Sequence, residues 1–414
     1  MAFPSKATHQ QTRAYNASLV LRALYDHSPI SRAEVARMSG LTRTTVGEVV
    51  GVLIADGMAR EVGRGPSTGG KAPILLELID GARHVVGLDL GEFVFRGALV
   101  DLRGQIHETA ERKVEGLDGD QALAVVHELI DELAKGREET LLGIGVGTPG
   151  IVDADSGTIR RAFNLSWHDL PLGEILRERY DVPVQVANDS RAAALAIQLF
   201  SERATSGGRR DRSGTGGRGN NLVAIKVGRG IGAGVVLGGE LFHGDGFGAG
   251  EIGHTLVEED GAECDCGRFG CLETVASSRA ILRRATELAH ARTNSMLGAR
   301  LGARGELRLQ DVAASLNSGD EETRRIVVSA GRYLGQVIGG LIGVLDVERI
   351  VLHGSVTSLG EPWLEAVRDE AGRRSLGLLA RDVSIELAAP IGDPVVMGAS
   401  ALLLTAELGL AVGR

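Results

Sequence analysis

Apolar positions Leu19, Val20, Ala23 and Leu24 fall at helical spacing, and Pro29 predicts where that helix stops. Ser31-Arg32-Ala33-Glu34 has the capping-box pattern, in which serine caps a helix and glutamate reaches back. The helix it opens carries Val35, Ala36 and Met38, and Gly40 suits the residue just past its end. Thr42 is placed to cap a third helix with Val46, Val49, Val50 and Leu53 inward, ended by Gly57. Residues 58–62 and 74–79 then read as strands around the glycine-rich turn 63–70.

Three short helices followed by a hairpin form a winged helix-turn-helix, whose third helix enters the major groove by its N-terminal end. Here that end is Thr42, Arg43, Thr44 and Thr45. Hydroxyls bond phosphates or base edges, and arginine pairs with guanine O6 and N7. Lys71, at the base of the wing, is placed to reach phosphate or the minor groove. Gly47 and Gly51 inside the third helix each weaken it by roughly 1 kcal/mol. A small helical oligomerisation module is the plain alternative.

Beyond the head, the pattern changes to short β-branched runs alternating with helices. His84–Leu90, 93–101 and 106–114 read as strands, 121–135 as an amphipathic helix, and 141–146 as another strand. Strand 182–187 leads into helix 190–200. Residues 204–220 are mostly Gly, Arg, Ser and Asp, the composition of a mobile surface loop. A second set begins with strand Leu222–Val227, followed by helices near 274–291, 310–316 and 321–345 and strand 349–352. Strands ending in glycine loops before helices suggest a ligand cleft between two sheets.

Length and composition sharpen this picture. The 414 residues make two or three domains, and 43% apolar with 24% charged residues excludes a disordered or collagen-like chain. Aromatics are only 3%, so the core must be aliphatic. The net charge of -9 hides an asymmetry: residues 1–71 hold nine Lys/Arg and five acids, and the remainder holds 36 against 49. A +4 head on a -13 body suits a head that meets a polyanion. The N-terminus shows no signal-peptide pattern, and no apolar run resembles a membrane span, so a soluble cytoplasmic protein is expected.

The three cysteines, Cys264, Cys266 and Cys271, lie within eight residues, a poor disulfide framework. With His254 they offer one imidazole and three thiols, and Gly267 and Gly270 allow tight turns between them. Four N/S ligands suit a closed, tetrahedral, structural Zn²⁺ site.

Gly248-Ala249-Gly250-Glu251-Ile252-Gly253-His254, followed by Cys264-Asp265-Cys266-Gly267-Arg268-Phe269-Gly270-Cys271-Leu272-Glu273, closely resembles the signature of the ROK family of repressors, open reading frames and sugar kinases. The resemblance implies an α/β fold: a winged helix-turn-helix at 1–80, then a two-lobed actin-like (ribonuclease H-like) sugar-kinase body. Its first lobe would span 81–200, completed by a C-terminal helix at 395–414, and its second, zinc-bearing lobe 201–394. It implies that Glu251 and Glu273 contact sugar hydroxyls, and that His254 ligates zinc with one nitrogen and faces the sugar with the other. Asn164 would belong to the sugar-contacting segment, Asn188-Asp189 to the family's catalytic pair, with Asp189 the base position, and 147–150 to a sugar-lining loop. Taken singly, Asp189 could equally be a helix cap.

The nucleotide side departs from the family pattern. Asp89-Leu90-Gly91-Glu92-Phe93-Val94 stands where the kinases have Asp-x-Gly-Gly-Thr-Lys, so Glu92 puts a carboxylate where a phosphate should sit. Gly228-Arg229-Gly230-Ile231-Gly232-Ala233-Gly234 keeps the second phosphate loop except for Arg229, and His353-Gly354 replaces a glycine pair. The expected protein is therefore a sugar-responsive DNA-binding repressor of carbohydrate genes that does not phosphorylate its ligand. Its partners would be operator DNA and a sugar or sugar derivative, with a homodimer or homotetramer assembled through the body. A working sugar kinase that also binds DNA is the alternative, and a protein-docking body with little ligand binding a third.

Overall fold

The computed structural model describes residues 9–66, 72–91, 93–205, 221–390 and 392–409. Lys71, Glu92 and residues 206–220 of the expected surface loop lie outside the described residues.

The head is three helices, His9–His27, Arg32–Ser39 and Arg43–Ala55, with a small antiparallel sheet in the order Ile30–Ser31, Ile74–Leu78, Ala59–Arg64. The capping box forms: Glu34 N–H donates to Ser31 Oγ at 3.3 Å, and Ser31 N–H donates to Glu34 Oε2 at 3.0 Å. Gly40 ends the helix at φ 71°, a left-handed conformation that costs glycine little. The third helix runs unbroken across Gly47 and Gly51, because Val46, Val49, Val50 and Leu53 bury one face of it.

The body holds two five-stranded sheets with one shared topology. The first runs Val184–Asn188, Leu141–Thr148, His84–Leu90, Val94–Asp101, Ile106–Lys113. The second runs Glu240–Leu241, Ile231–Leu237, Leu222–Val227, Arg349–His353, Ser384–Leu387. In each, three consecutive strands form an antiparallel meander and two further strands join in parallel at the edge of the first. This is the two-lobed α/β arrangement of the actin-like sugar kinases. Helices Asp189–Thr205 and Pro394–Leu408 cross between the sheets. Their backbones are so close that a Cβ on Gly398 would run into the Ala192 carbonyl.

Several expectations need correction. Ile231-Gly232-Ala233-Gly234 is not loop but the start of a strand paired with Leu222–Val227, leaving only 228–230 as a turn. Pairing satisfies that backbone, and Gly232 and Gly234 are needed because a Cβ there would meet Ser190 and Ala194 of the crossing helix. The helix expected over 274–291 is two, Glu273–Ala276 and Ser278–Ala291, because Ser277 turns extended and caps the second. Helix Glu321–Leu345 has the length and apolarity of a membrane span. Half of its apolar window is buried, and Val327, Leu334, Ile338 and Ile342 join the second lobe's core beside Trp363.

The apolar core does not stop at the head. Val20, Leu24 and Leu76 share one cluster with Val85, Leu102, Leu403, Leu404 and Leu408 of the body. Arg103 reinforces the joint, its guanidinium 4.4 Å from the Tyr25 ring and its Nε 2.9 Å from Asp80 Oδ1. The head is thus packed onto the first lobe through a shared apolar core.

Candidate functional site

The metal-site residues converge. The ligand atoms of His254, Cys264, Cys266 and Cys271 all lie within 4.8 Å of one another. His254 Nδ1 is 3.5 Å from Cys264 Sγ, and Cys266 Sγ is 3.7 Å from Cys271 Sγ. A tetrahedron with metal–sulfur bonds of about 2.3 Å has edges of about 3.8 Å, close to these two separations, so the cluster could hold a metal ion of that size with shifts of about 1 Å at most. Gly267 and Gly270 adopt φ 83° and 69°, and the Cys264 N–H bonds the Arg268 carbonyl at 2.8 Å to close the knuckle. A Cβ on Gly270 would strike the Glu258 carbonyl.

The imidazole of His254 stands between this cluster and Glu251. Its Nε2 points away from the cysteines and lies 3.9 Å from Glu251 Oε2. Glu251 ends a loop pressed onto the strand Ile231–Leu237: Gly250 sits at φ 94°, where a Cβ would hit the Ala233 carbonyl. Burial pushes the Glu251 carboxyl up to about 7, aided by the nearby Asp189 and Glu273 and opposed by Arg191. Glu273 is also raised by burial, though Oε2 accepts the Ile231 N–H at 3.0 Å.

Asn188 and Asp189 sit where the first sheet meets the crossing helix. Asn188 caps that helix: its Oδ1 accepts the Ser190 N–H at 3.0 Å, while Nδ2 donates to the Gly150 carbonyl at 3.0 Å. Asp189 has both oxygens engaged. Oδ1 takes the Ser190 N–H at 2.6 Å, and Oδ2 takes Lys226 Nζ at 2.7 Å. Burial pushes the Asp189 carboxyl upward, but the Lys226 ammonium and these hydrogen bonds outweigh it and hold it low. Asn164 is exposed in the turn Phe163–Leu165. Among the described residues, no hydrogen bond ties it to Asn188, Asp189, Glu251 or Glu273.

On the nucleotide side, Phe93 is exposed at the turn between the first lobe's first two strands. The Arg229 guanidinium, on the equivalent turn of the second lobe, lies 4.8 Å from its ring centroid. His353 is buried, its pKa drawn down to about 4 by burial and by Lys226, and its Nε2 has no hydrogen-bond partner.

In the head, Thr42, Arg43 and Thr44 are exposed at the start of the third helix, and Thr45 is half-buried. The Thr42 hydroxyl accepts the Thr45 N–H at 3.2 Å and lies 2.9 Å from the Thr45 hydroxyl, so these two cap the helix. Arg32 and Arg60 are paired with Glu61 and Glu77, whereas no acid among the described residues pairs with Arg43.

The ROK family signature spans residues 85–406, everything from the first strand of the body to its last helix. The chain belongs to the ROK family. A xylose repressor of Caldicellulosiruptor bescii is 29% identical over 402 residues, covering 96% of this chain and 97% of that protein. A glucokinase of Halalkalibacterium halodurans is 32% identical over 337 residues, covering 98% of that protein but only 80% of this chain. Among solved structures, a ROK family transcriptional regulator homologous to the Escherichia coli MLC protein superposes with a TM-score of 0.79 at 25% identity, covering 96% of this chain and 99% of that one. This ROK chain therefore shares its body with a kinase and its full length, head included, with regulators.

Two residues of this ROK site escaped the sequence reading. Lys226 is the single charge in the otherwise apolar strand Leu222–Val227, which was the available signal. Arg191 is a fully buried arginine in an alanine-rich helix, donating to the Phe247 carbonyl and, at 3.2 Å, to that of Ala249. It thereby holds the loop that delivers Glu251.

Proposed function

We propose that this ROK chain is a sugar-responsive transcriptional repressor. The head binds operator DNA, and the body holds a sugar between its lobes without phosphorylating it. The observation that carries this is the Lys226–Asp189 pair. A carboxylate held low and already bonded to an internal ammonium is a poor acceptor for a hydroxyl proton. Asp189 thus serves to fix the cleft floor, and the exposed Arg43 helix end gives the molecule its output.

Glu251, Glu273 and Asn188 offer carboxylate and amide groups suited to vicinal hydroxyls, which accept and donate in pairs. Asn164 would close over the sugar from the first lobe. Zn²⁺ on His254, Cys264, Cys266 and Cys271 would supply a fixed tetrahedral cross-link. The chain's own contribution is to aim His254 Nε2 and Glu251 into the cleft. Arg43 and Thr44 would read base edges, Thr42 and Thr45 would set the helix end, and Lys71 on the wing would contact phosphate or the minor groove. Two heads are needed for two half-sites one helical turn apart, so the working species is a homodimer or homotetramer in the cytoplasm. Sugar shifts DNA affinity only by its differential affinity for the DNA-competent and DNA-incompetent arrangements.

The test is a thermal-shift and operator-binding screen of neutral sugars, xylose first, with and without ATP and Mg²⁺. A sugar that raises the melting temperature and releases operator without ATP supports the repressor. Sustained ADP production with any sugar would establish a kinase instead, and would show that the Lys226 contact does not silence Asp189.

A further inference from the structure

Because the two sheets share one topology, the connection that carries Gly91 and Phe93 and the turn at 228–230 are equivalent: each joins the first two strands of its sheet. Their side chains meet, with Arg229 over Phe93 at 4.8 Å. A guanidinium within about 6 Å of a ring face is held by the ring's quadrupole. On the strand that leads into the 228–230 turn, Lys226 reaches Asp189 on the crossing helix. The second sheet's cations thus make two bridges out of their lobe, Arg229 to Phe93 and Lys226 to Asp189.

The turn that carries Arg229 is fastened to an expected sugar ligand. Ile231 N–H donates to Glu273 Oε2 at 3.0 Å, Ser278 N–H donates to the Gly228 carbonyl at 2.7 Å, and a Cβ on Gly230 would sit 3.0 Å from that same Oε2. The turn that carries Phe93 is fastened to the head's side. Phe93 lies between strands His84–Leu90 and Val94–Asp101, its carbonyl accepts the Val114 N–H at 2.8 Å, and the far end of the first strand puts Val85 into the head's core cluster. A continuous path therefore runs from Glu273 through 228–231, Arg229, Phe93 and one strand to the head.

We propose that Arg229 and Phe93 are positioning residues that form a latch between the lobes and relay occupancy at Glu273 to the lobe bearing the head. This rests on the repressor function proposed above. In a molecule with this latch, the lobes are set against each other by the chain itself, and sugar alone is enough to reset them. The two side chains touch neither sugar nor DNA in that arrangement.

The experiment uses the full-length protein. Phe93→Trp places an indole at the contact, and the two native tryptophans, Trp167 and Trp363, are buried and silent to a soluble quencher. Adding Arg229→Ala should raise acrylamide quenching of the introduced indole, and Arg229→Lys should restore part of the protection. Unchanged quenching in Arg229→Ala overturns the latch, whatever the fate of the repressor function. In parallel, operator affinity is measured with and without the sugar that stabilises the parent. Phe93→Ala, Arg229→Ala and the double variant should each cut the sugar-induced change about threefold, with the double no worse than either single, while sugar affinity and zinc content hold. Phe93→Tyr should behave as the parent. Singles that keep the parent's full sugar response overturn the relay. A parent that ignores every sugar overturns the repressor function and the relay with it.

Discussion

Lys226 Nζ lies 2.7 Å from Asp189 Oδ2, joining the first strand of the second sheet to the helix that crosses between the sheets. Their side chains are 26% and 14% exposed, so water screens the pair only in part. Removing one partner of such a pair strands the other charge, at a cost of about 3 kcal/mol, the low end for buried pairs. Lys226→Met should lower the melting temperature by several degrees, and Lys226→Met with Asp189→Asn should recover most of it. Calorimetry of the four proteins decides this; a Lys226→Met variant as stable as the parent rules out a structural pair.

Asp89 should limit stability at neutral pH. Burial pushes its carboxyl up to about 7 against the pull of Lys226, with Asp393 and Asp189 adding to the rise and Arg96 opposing it. Its Oδ1 has no hydrogen-bond partner. A carboxyl whose folded pKa is raised gives stability that is complete below its unfolded value near 4 and is lost as pH rises through about 7. Asp89→Asn removes that loss, so it should stabilise the protein by about 1–2 kcal/mol at pH 7.5 and flatten the fall between pH 5 and 7. Asp189, held low, works in the opposite sense and only in acid, below this window. Melting curves at pH 5, 6, 7 and 8 check the slope; an unchanged slope in Asp89→Asn would falsify it.

The metal cluster was the part of the site most legible in the sequence, for a physical reason. His254 and three cysteines within eighteen residues need only local turns to meet, and Gly267 and Gly270 declare those turns. The head was legible on the same ground, since Ser31, Glu34, Gly40 and Thr42 are local caps. Lys226 with Asp189 and Arg229 with Phe93 are contacts between distant segments, set by how two sheets face each other. No local pattern carries them. The register of Ile231–Leu237 was hidden because glycines that look like a phosphate loop are demanded instead by the crossing helix. The small sheet Ile151–Asp153, Thr158–Ala162, Trp167–Leu170 was missed because its strands are short and its alternation weak.

Cys264→Ser should remove bound zinc, measured by elemental analysis at one equivalent per chain in the parent. Because a structural metal contributes its binding energy to the fold, the melting temperature should fall by about 5 °C or more. The sugar-induced shift should vanish, since His254 and Glu251 lose their anchor. A variant that keeps both stability and sugar response would show that hydrogen bonds alone hold the 254–273 segment.

Arg43→Ala should weaken operator binding by about 1–3 kcal/mol, or 5- to 150-fold, and relax the preference at one base pair. Thr44→Ala should cost less, because a hydroxyl supplies one bond where a guanidinium supplies two. Neither should change the melting temperature by more than a degree, since both side chains are exposed. Fluorescence anisotropy against operator and scrambled duplex separates these effects. Equal losses on both duplexes would mean that Arg43 contacts phosphate only.

Glu251→Gln separates sugar recognition from DNA recognition. Glutamine keeps the shape of the side chain and one acceptor oxygen but replaces the other with a donor, so a hydroxyl that donated to the carboxylate loses its partner. Charge-assisted hydrogen bonds contribute about 1.5–3 kcal/mol, and burial raises this carboxyl to about 7, so at pH 8, where it is ionised, sugar affinity should fall roughly 10- to 150-fold. Glu251 lies in the second lobe, joined through Gly250 to Ala233 and through Nε2 of His254 to the metal cluster, and none of these reaches the Arg43 helix. Operator affinity without sugar should therefore match the parent, and at a sugar concentration that releases the parent the variant should stay bound. In cells such a protein represses permanently. Titration calorimetry with sugar and anisotropy with operator give the two numbers independently. If Glu251→Gln binds sugar like the parent, the cleft's ligand does not use this carboxylate, and Glu273 with Asn188 becomes the place to look.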